Sequence, residues 1–459
     1  MKQINKDILK LAVPSILANI TVPLVGMVDI AVAGHLDSHA ATMIGGIAIG
    51  SMLFDLLYWN FGFLRVGTGG LAAQAYGRGD MKDCAMILSR SVVIALACAL
   101  VLIGLQWIFV KAAFLVVDCT PQVQQLASQY FFLRIWAAPA TLGLMAFKGW
   151  FIGMQDSVSP MTVDLIVNGM NILMSFVLGL GIPALGYEGM GFRGIAAGTV
   201  VAQYSGLLAA LLIVAFRYWI PVLSLLGHDD LKHLFKGDET RRFFVMNTDL
   251  FVRSLCFIAI YIGFTVISAR YGDLLLAVSS IMMKLLMIFS YFTDGFAYAG
   301  EALTGRYIGA EDKPMLRQTV RWTFIWSMGI ALIFMLIYQF AGVPMLNMMT
   351  SDPTVVEASR EYLPWLLLMP VAGCAAFTWD GIYIGATASK AIRNSMLWAV
   401  VAFAIIWFAG IALLQALPHD QGRYGYAAMH ILMGAYFAHL MARTVYLSVR
   451  YRHAILSGL

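Results

Sequence analysis

Pro23-Leu-Val-Gly-Met-Val-Asp-Ile-Ala-Val-Ala-Gly34 places one carboxylate in an otherwise apolar run. From Ile8 to Gly34 the chain holds one basic residue, Lys10, and one acid, Asp29. A run of this length spans a bilayer as a helix, since about 20 apolar residues suffice. A charged side chain at the centre of such a helix costs roughly 2.5–3.5 kcal/mol on insertion scales, so it is retained where it works or is well paired. Burial favours the neutral form of an acid, so Asp29 reads as a proton carrier. The competing reading is an aspartate paired to a polar neighbour for helix packing. Pro23 and Gly26 lie within two turns of it and provide a place to bend.

The same pattern recurs along the chain. Of 459 residues, 61% are hydrophobic and 12% charged. A soluble protein has too little interior for that much apolar surface. Twelve helices are expected, at about 8–34, 43–76, 84–111, 123–153, 160–182, 194–217, 243–271, 274–308, 315–341, 355–386, 394–417 and 425–450. Breakers separate them, among them Thr120-Pro121, Ser159-Pro160, Asp352-Pro353 and Leu417-Pro418. The N-terminus runs into the first span with no small-residue cleavage site, so it is expected to be retained. The net charge of +5 sits in short loops and does not point to nucleic acid. Five scattered cysteines without a Cys-x-x-Cys pair predict neither a disulfide frame nor a metal site.

Lys and Arg set the orientation. Of the 30, 20 fall on the ends and loops that share a side with the N-terminus, including Arg217, Arg306, Lys313, Arg317, Arg443 and Arg452. Six fall on the other side, including Lys111, Arg134 and Arg360. Both termini are therefore expected to be cytoplasmic.

A shift of 232 residues lays the first half on the second. Gly77 meets Gly309, Pro121 meets Pro353, Tyr130 meets Tyr362, Gly149 meets Gly381 and Gly153 meets Gly385. Six helices per half is an even number, so the repeat is parallel. The expected organisation is a lobe over 1–217, a cytoplasmic linker over 218–242 and a second lobe over 243–459. The fold class is all-α integral membrane: two six-helix bundles around a V-shaped central cleft, an architecture suited to alternating access. A channel can also be built from repeats.

Two sets of polar residues fall inside the spans. On the fifth helix, Asp164, Asn168, Asn171 and Ser175 are spaced 4, 3 and 4 apart and share a face. With Asp29 and Thr199 they form either a proton or cation pocket or a polar packing seam. The second half carries Asp249, Arg253, Lys284, Asp294, Glu301 and Asp380. Asp249 and Arg253 are four apart and placed to pair, while Asp294 and Glu301 are seven apart on one face. Mutual neutralisation and a substrate or proton path both remain open for this set. Walker A, His-Glu-x-x-His and Gly-x-Ser-x-Gly are absent, so an enzyme is not expected. With no nucleotide site, an ion gradient is the remaining energy source.

Asn19-Ile-Thr-Val-Pro-Leu-Val-Gly-Met-Val-Asp29, Ala33-Gly-His-Leu-Asp37, Gly70-Leu-Ala-Ala-Gln-Ala-Tyr-Gly77, Asp294-Gly-Phe-Ala-Tyr-Ala-Gly-Glu301 and Asp380-Gly-Ile-Tyr-Ile-Gly-Ala386 follow in order. Together they resemble the multidrug and toxic compound extrusion (MATE) family, in its DinF-type branch. The resemblance implies an antiporter in the inner (cytoplasmic) membrane. Its cargo would be small organic compounds, cationic or amphipathic, exported against entering H⁺ or Na⁺. No cofactor and no protein partner is implied, and a monomer is expected. The resemblance also implies that Asp29, Asn171 and Thr199 form the proton or cation site. Relatives often carry a second carboxylate where this chain has Ser175, and its loss favours H⁺ over Na⁺. The segment Gly181–Arg193 is longer than in relatives. A flippase of the same superfamily is the alternative; it would need many basic residues in its cleft, and only Arg65, Lys148, Arg253 and Lys284 are candidates.

Overall fold

A computed structural model describes residues 2–34, 40–115, 117, 119–182, 186–350, 352–416 and 421–456. The motif His35-Leu-Asp37 and the breaker Leu417-Pro418 lie outside them. The helices are α1 Lys2–Gly34, α2 Ala40–Trp59, α3 Phe63–Gly77, α4 Met81–Ala113, α5 Pro121–Arg134, α6 Ala138–Gly153, α7 Val158–Met174, α8 Phe192–Ile213, α9 His228–Lys232, α10 Asp238–Ala269, α11 Asp273–Gly309, α12 Lys313–Met349, α13 Pro353–Arg360, α14 Leu363–Gly385, α15 Ser389–Ala416 and α16 Tyr424–Tyr451. The described residues contain no named strand. All twelve expected spans are present. The second is split into α2 and α3 by a turn at 60–62, and the fourth and tenth are each built from two helices in series. Among the described residues, eleven segments are long and apolar enough to cross a membrane. The twelfth, α16, is more polar because it carries His430, His439, Arg443 and Arg450.

The chain divides into two compact units. One is Leu17–Phe243; the other is Met1–Ile16 together with Phe244–Leu459. We call them the N-terminal and C-terminal units. The first turns of α1 thus group with the second half of the chain. Asn5 there accepts a hydrogen bond from the Trp326 indole at 3.0 Å, and Gly295 leaves room for Ile16 and the Ala12 carbonyl. The connection 218–242 is folded onto the N-terminal unit. Arg90 donates to the Leu234 carbonyl at 3.0 Å, and Arg242 to Gln74 at 3.1 Å.

The sequence repeat is also a repeat of local geometry. Asp80 and Asp312 each cap the helix that follows, accepting from Asp83 N and Met315 N. Gly79 and Glu311, one residue earlier, both have left-handed φ, as do Gln155 and Thr387. A Cβ on Gly149 would lie 2.1 Å from the Arg65 carbonyl oxygen, and one on Gly381 would lie 2.1 Å from that of Ala297. These glycines let α3 and α6 touch in the N-terminal unit, and α11 and α14 in the C-terminal unit. Backbone approach through small residues is how membrane helices gain dispersion contact without a hydrophobic driving force between them. Large apolar side chains point outward instead, as at Phe216 and Phe340, which are 87% and 81% exposed.

Candidate functional site

Ser175 is the residue at which α7 stops being α-helical. Ser175–Leu180 continues as a π-helical turn, a local widening found often at functional positions. The turn is held from two sides. Gly194 on α8 comes so near that a Cβ there would lie 1.9 Å from the Leu178 carbonyl oxygen. Residues 190 and 191 return to it: Met190 N donates to Leu178 O at 2.7 Å and Gly191 N to Gly179 O at 3.1 Å. Those carbonyls would otherwise end the helix unsatisfied. Gly181, Gly186, Gly189 and Gly191 all have positive φ, which explains why this stretch is glycine-rich.

The π turn aims Ser175 at α1. Its hydroxyl donates to Asp29 Oδ1 at 2.7 Å and lies 3.3 Å from Asn171 Oδ1. A hydroxyl has one proton, so it serves one acceptor at a time. Asn171 Nδ2 donates to the Thr199 hydroxyl at 3.1 Å, which in turn lies 3.4 Å from the Ile195 carbonyl. Asp29, Asn171, Ser175 and Thr199 are all buried. The structure therefore brings together four of the six residues singled out in this half.

The other two sit apart from that chain of bonds. Asn168 donates to Thr21 of α1 at 2.6 Å. Asp164 forms an ion pair with Lys148 of α6. Two further groups escaped the sequence reading. Arg134, counted by sequence with the charges of the outer side, ends α5, donates to the Tyr130 hydroxyl at 3.1 Å and lies over the Phe54 ring at 4.7 Å. Asp55 is an exposed acid within α2. Its signal was plain, a lone acid in an apolar run.

The C-terminal unit pairs its charges differently from the spacing rule. Asp249 does not pair with Arg253. It accepts from Arg393 at 2.6 Å and from Ser389 at 2.7 Å, both on α15. Arg253 instead reaches Asp380 of α14 at 2.6 Å, and the same carboxylate oxygen accepts from Arg443 at 2.5 Å. Arg443, counted by sequence with a cytoplasmic end, is 1% exposed. Spacing four apart makes a pair available, but a bundle offers each acid several helices, and geometry decides. On α11, Glu301 is buried, Asp294 is half-buried and Lys284 is exposed. Among the described residues no group of three or more His, Cys, Asp or Glu could hold a metal ion.

Known proteins resemble this chain over most of its length. The sequence pattern of the MatE family matches residues 14–177 and 250–409. DNA damage-inducible protein F of Escherichia coli is 34% identical over 418 residues, covering 90% of this chain and 88% of that protein. A probable multidrug resistance protein NorM of Photorhabdus laumondii is 24% identical, covering 89% and 86%. Among solved structures, an outward-facing MATE family transporter superposes with a TM-score of 0.82 at 15% identity, covering 98% of this chain and 96% of that one. The chain belongs to the MATE family of multidrug and toxic compound efflux transporters, in its DinF-type branch.

Proposed function

We propose that this transporter is a proton-driven exporter of small organic compounds, cationic or amphipathic, with Asp29 as the proton carrier. One observation carries the reading: the hydrogen-bonded chain at Asp29 contains one carboxylate and otherwise neutral groups, Ser175, Asn171 and Thr199. A dehydrated metal cation needs several oxygen ligands and compensating charge. A proton needs one basic oxygen and partners that accept both of its states. Ser175 is such a partner. It donates to the ionised carboxylate, and once Asp29 carries a proton it can accept from Asp29 and turn its own proton to Asn171. The bond pattern between α1 and α7 then depends on the protonation of one atom. Substrate transport by purified protein reconstituted into liposomes, with a pH gradient and a sodium gradient imposed separately, tests this. Export should follow ΔpH and ignore Na⁺; export that needs Na⁺ and ignores ΔpH would refute it.

The transporter works as a monomer in the bacterial inner membrane, and both termini and the 218–242 connection face the cytoplasm. The bias of basic residues supports this orientation. Single cysteines placed at Lys232 or Lys236 should react with a membrane-impermeant maleimide only after cells are opened. Ready labelling of intact cells would reverse the orientation.

A further inference from the structure

The start of α12 and the end of α16 line an open crevice of about 740 Å³. Lys313, Arg317 and Arg321 reach it from α12, spaced four apart on one face, and Tyr451 and Arg452 reach it from the end of α16. Among the described residues no carboxylate lines the cavity. Among the described residues Arg317, Arg321 and Arg452 have no ion-pair partner there, and all three are exposed.

The repeat gives this crevice a counterpart in the N-terminal unit, between the start of α4 and the end of α8. There the chain fills it. Val222 is buried, and Leu223 and Leu226 pack against the apolar cluster to which Val222, Cys84, Leu88 and Tyr218 belong. Arg90 ties down the Leu234 carbonyl beside them. The residues 232 positions before Lys313, Arg317 and Arg321 are Met81, Ala85 and Ser89. One copy of the crevice is thus apolar and covered by the polypeptide, and the other is basic and uncovered by any described residue.

We propose that the basic crevice binds the phosphodiester of an anionic phospholipid, with phosphatidylglycerol as the simplest headgroup class. Guanidinium forks match phosphate oxygens in geometry and charge, and basic pockets between membrane helices suit lipid headgroups. Position favours a lipid over a free phosphate. α12 has 37 residues, about 55 Å of helix against a hydrocarbon core of about 30 Å, which leaves roughly 12 Å at each end for the headgroup zone. Residues 313–321 fall in that stretch. Beyond it, on the same helix, Ile325, Leu332 and Leu336 are exposed and offer a track for acyl chains.

The test is native mass spectrometry of the full chain in a neutral detergent, titrated with phosphatidylglycerol, phosphatidylcholine and glycerol 3-phosphate. Phosphatidylglycerol should bind at least fivefold tighter than phosphatidylcholine and at least tenfold tighter than glycerol 3-phosphate. Arg317→Gln combined with Arg321→Gln should erase the preference. Arg452→Gln, at an exposed position, should weaken it in the same direction and serves if the double variant does not fold. No preference between the two lipids, or a preference untouched by these variants, would overturn the proposal. Glycerol 3-phosphate binding as tightly as the lipid would overturn the lipid assignment in favour of a soluble phosphate. The measurement involves no transport, so its outcome is separate from that of the coupling experiment.

Discussion

Asp29→Asn is expected to reduce ΔpH-driven export in proteoliposomes to background, a loss of at least tenfold, while the protein still elutes as a single folded species. The amide keeps the size of the carboxyl group and can still accept from Ser175 through its oxygen. It cannot take or release a proton. The substitution also removes a buried charge, so the bundle loses no electrostatic compensation that it needed in the protonated state. Folding and coupling are therefore separable at this position. Ser175→Asp makes the complementary test, because it places a second carboxylate where a hydroxyl now lies 2.7 Å from Asp29. Two acids and the Asn171 oxygen form a better cation site, so this variant should gain stimulation by Na⁺. Full ΔpH-driven export by Asp29→Asn would end the assignment.

The second large effect is on stability and lies in the other unit. Asp380 balances two guanidiniums, one of them on the buried Arg443. Removing one partner of a buried ion pair costs roughly 3–5 kcal/mol, because the other charge is left without compensation. Asp380→Asn should therefore lower the thermal midpoint in detergent by on the order of 10 °C, at about 2–4 °C per kcal/mol for a unit of this size. Arg253→Gln should cost much less. Its side chain is 25% exposed, so water takes over part of the solvation, and Asp380 keeps Arg443. Equal midpoints for Asp380→Asn and the unaltered protein, or a larger loss for Arg253→Gln, would contradict this account.

These two sites differ in how far the sequence exposes them. Asn171 and Ser175 share a helix face because 3.6 residues make a turn, and that periodicity is written in the spacing. Asp29 stands out because nothing else in its run is acidic. The contacts within α7 were thus legible, and so was the separation of α7 from its neighbours. Pairing between helices was not. Asp249 turns to Arg393 and Arg253 to Asp380 over separations of 144 and 127 residues, and no local rule selects among distant partners. Arg134 and Arg443 misled for a related reason. The orientation rule treats every Arg near a helix end as a loop charge, yet Arg134 lies over an aromatic ring and Arg443 is inside the bundle. The π turn at Ser175 also left no mark in the hydrophobic pattern, because one extra residue in a turn shifts that pattern by less than its own noise.

Left-handed backbone at Glu311, with φ of 55°, has a use in engineering. Each half of this chain is a homologue of the other, so the protein carries a two-member alignment of itself. At the matched position the first half has Gly79, with φ of 74°. A side chain in this region costs roughly 1–2 kcal/mol that glycine avoids, and glycine's extra freedom in the unfolded chain returns part of that. Glu311→Gly should therefore raise stability by about 0.5–1 kcal/mol, read as a midpoint a few degrees higher, with transport unchanged. A lower midpoint would mean that the Glu311 side chain makes contacts worth more than the backbone strain. Elsewhere too, where the halves disagree on a residue but agree on its dihedral angles, one copy is a ready consensus for the other.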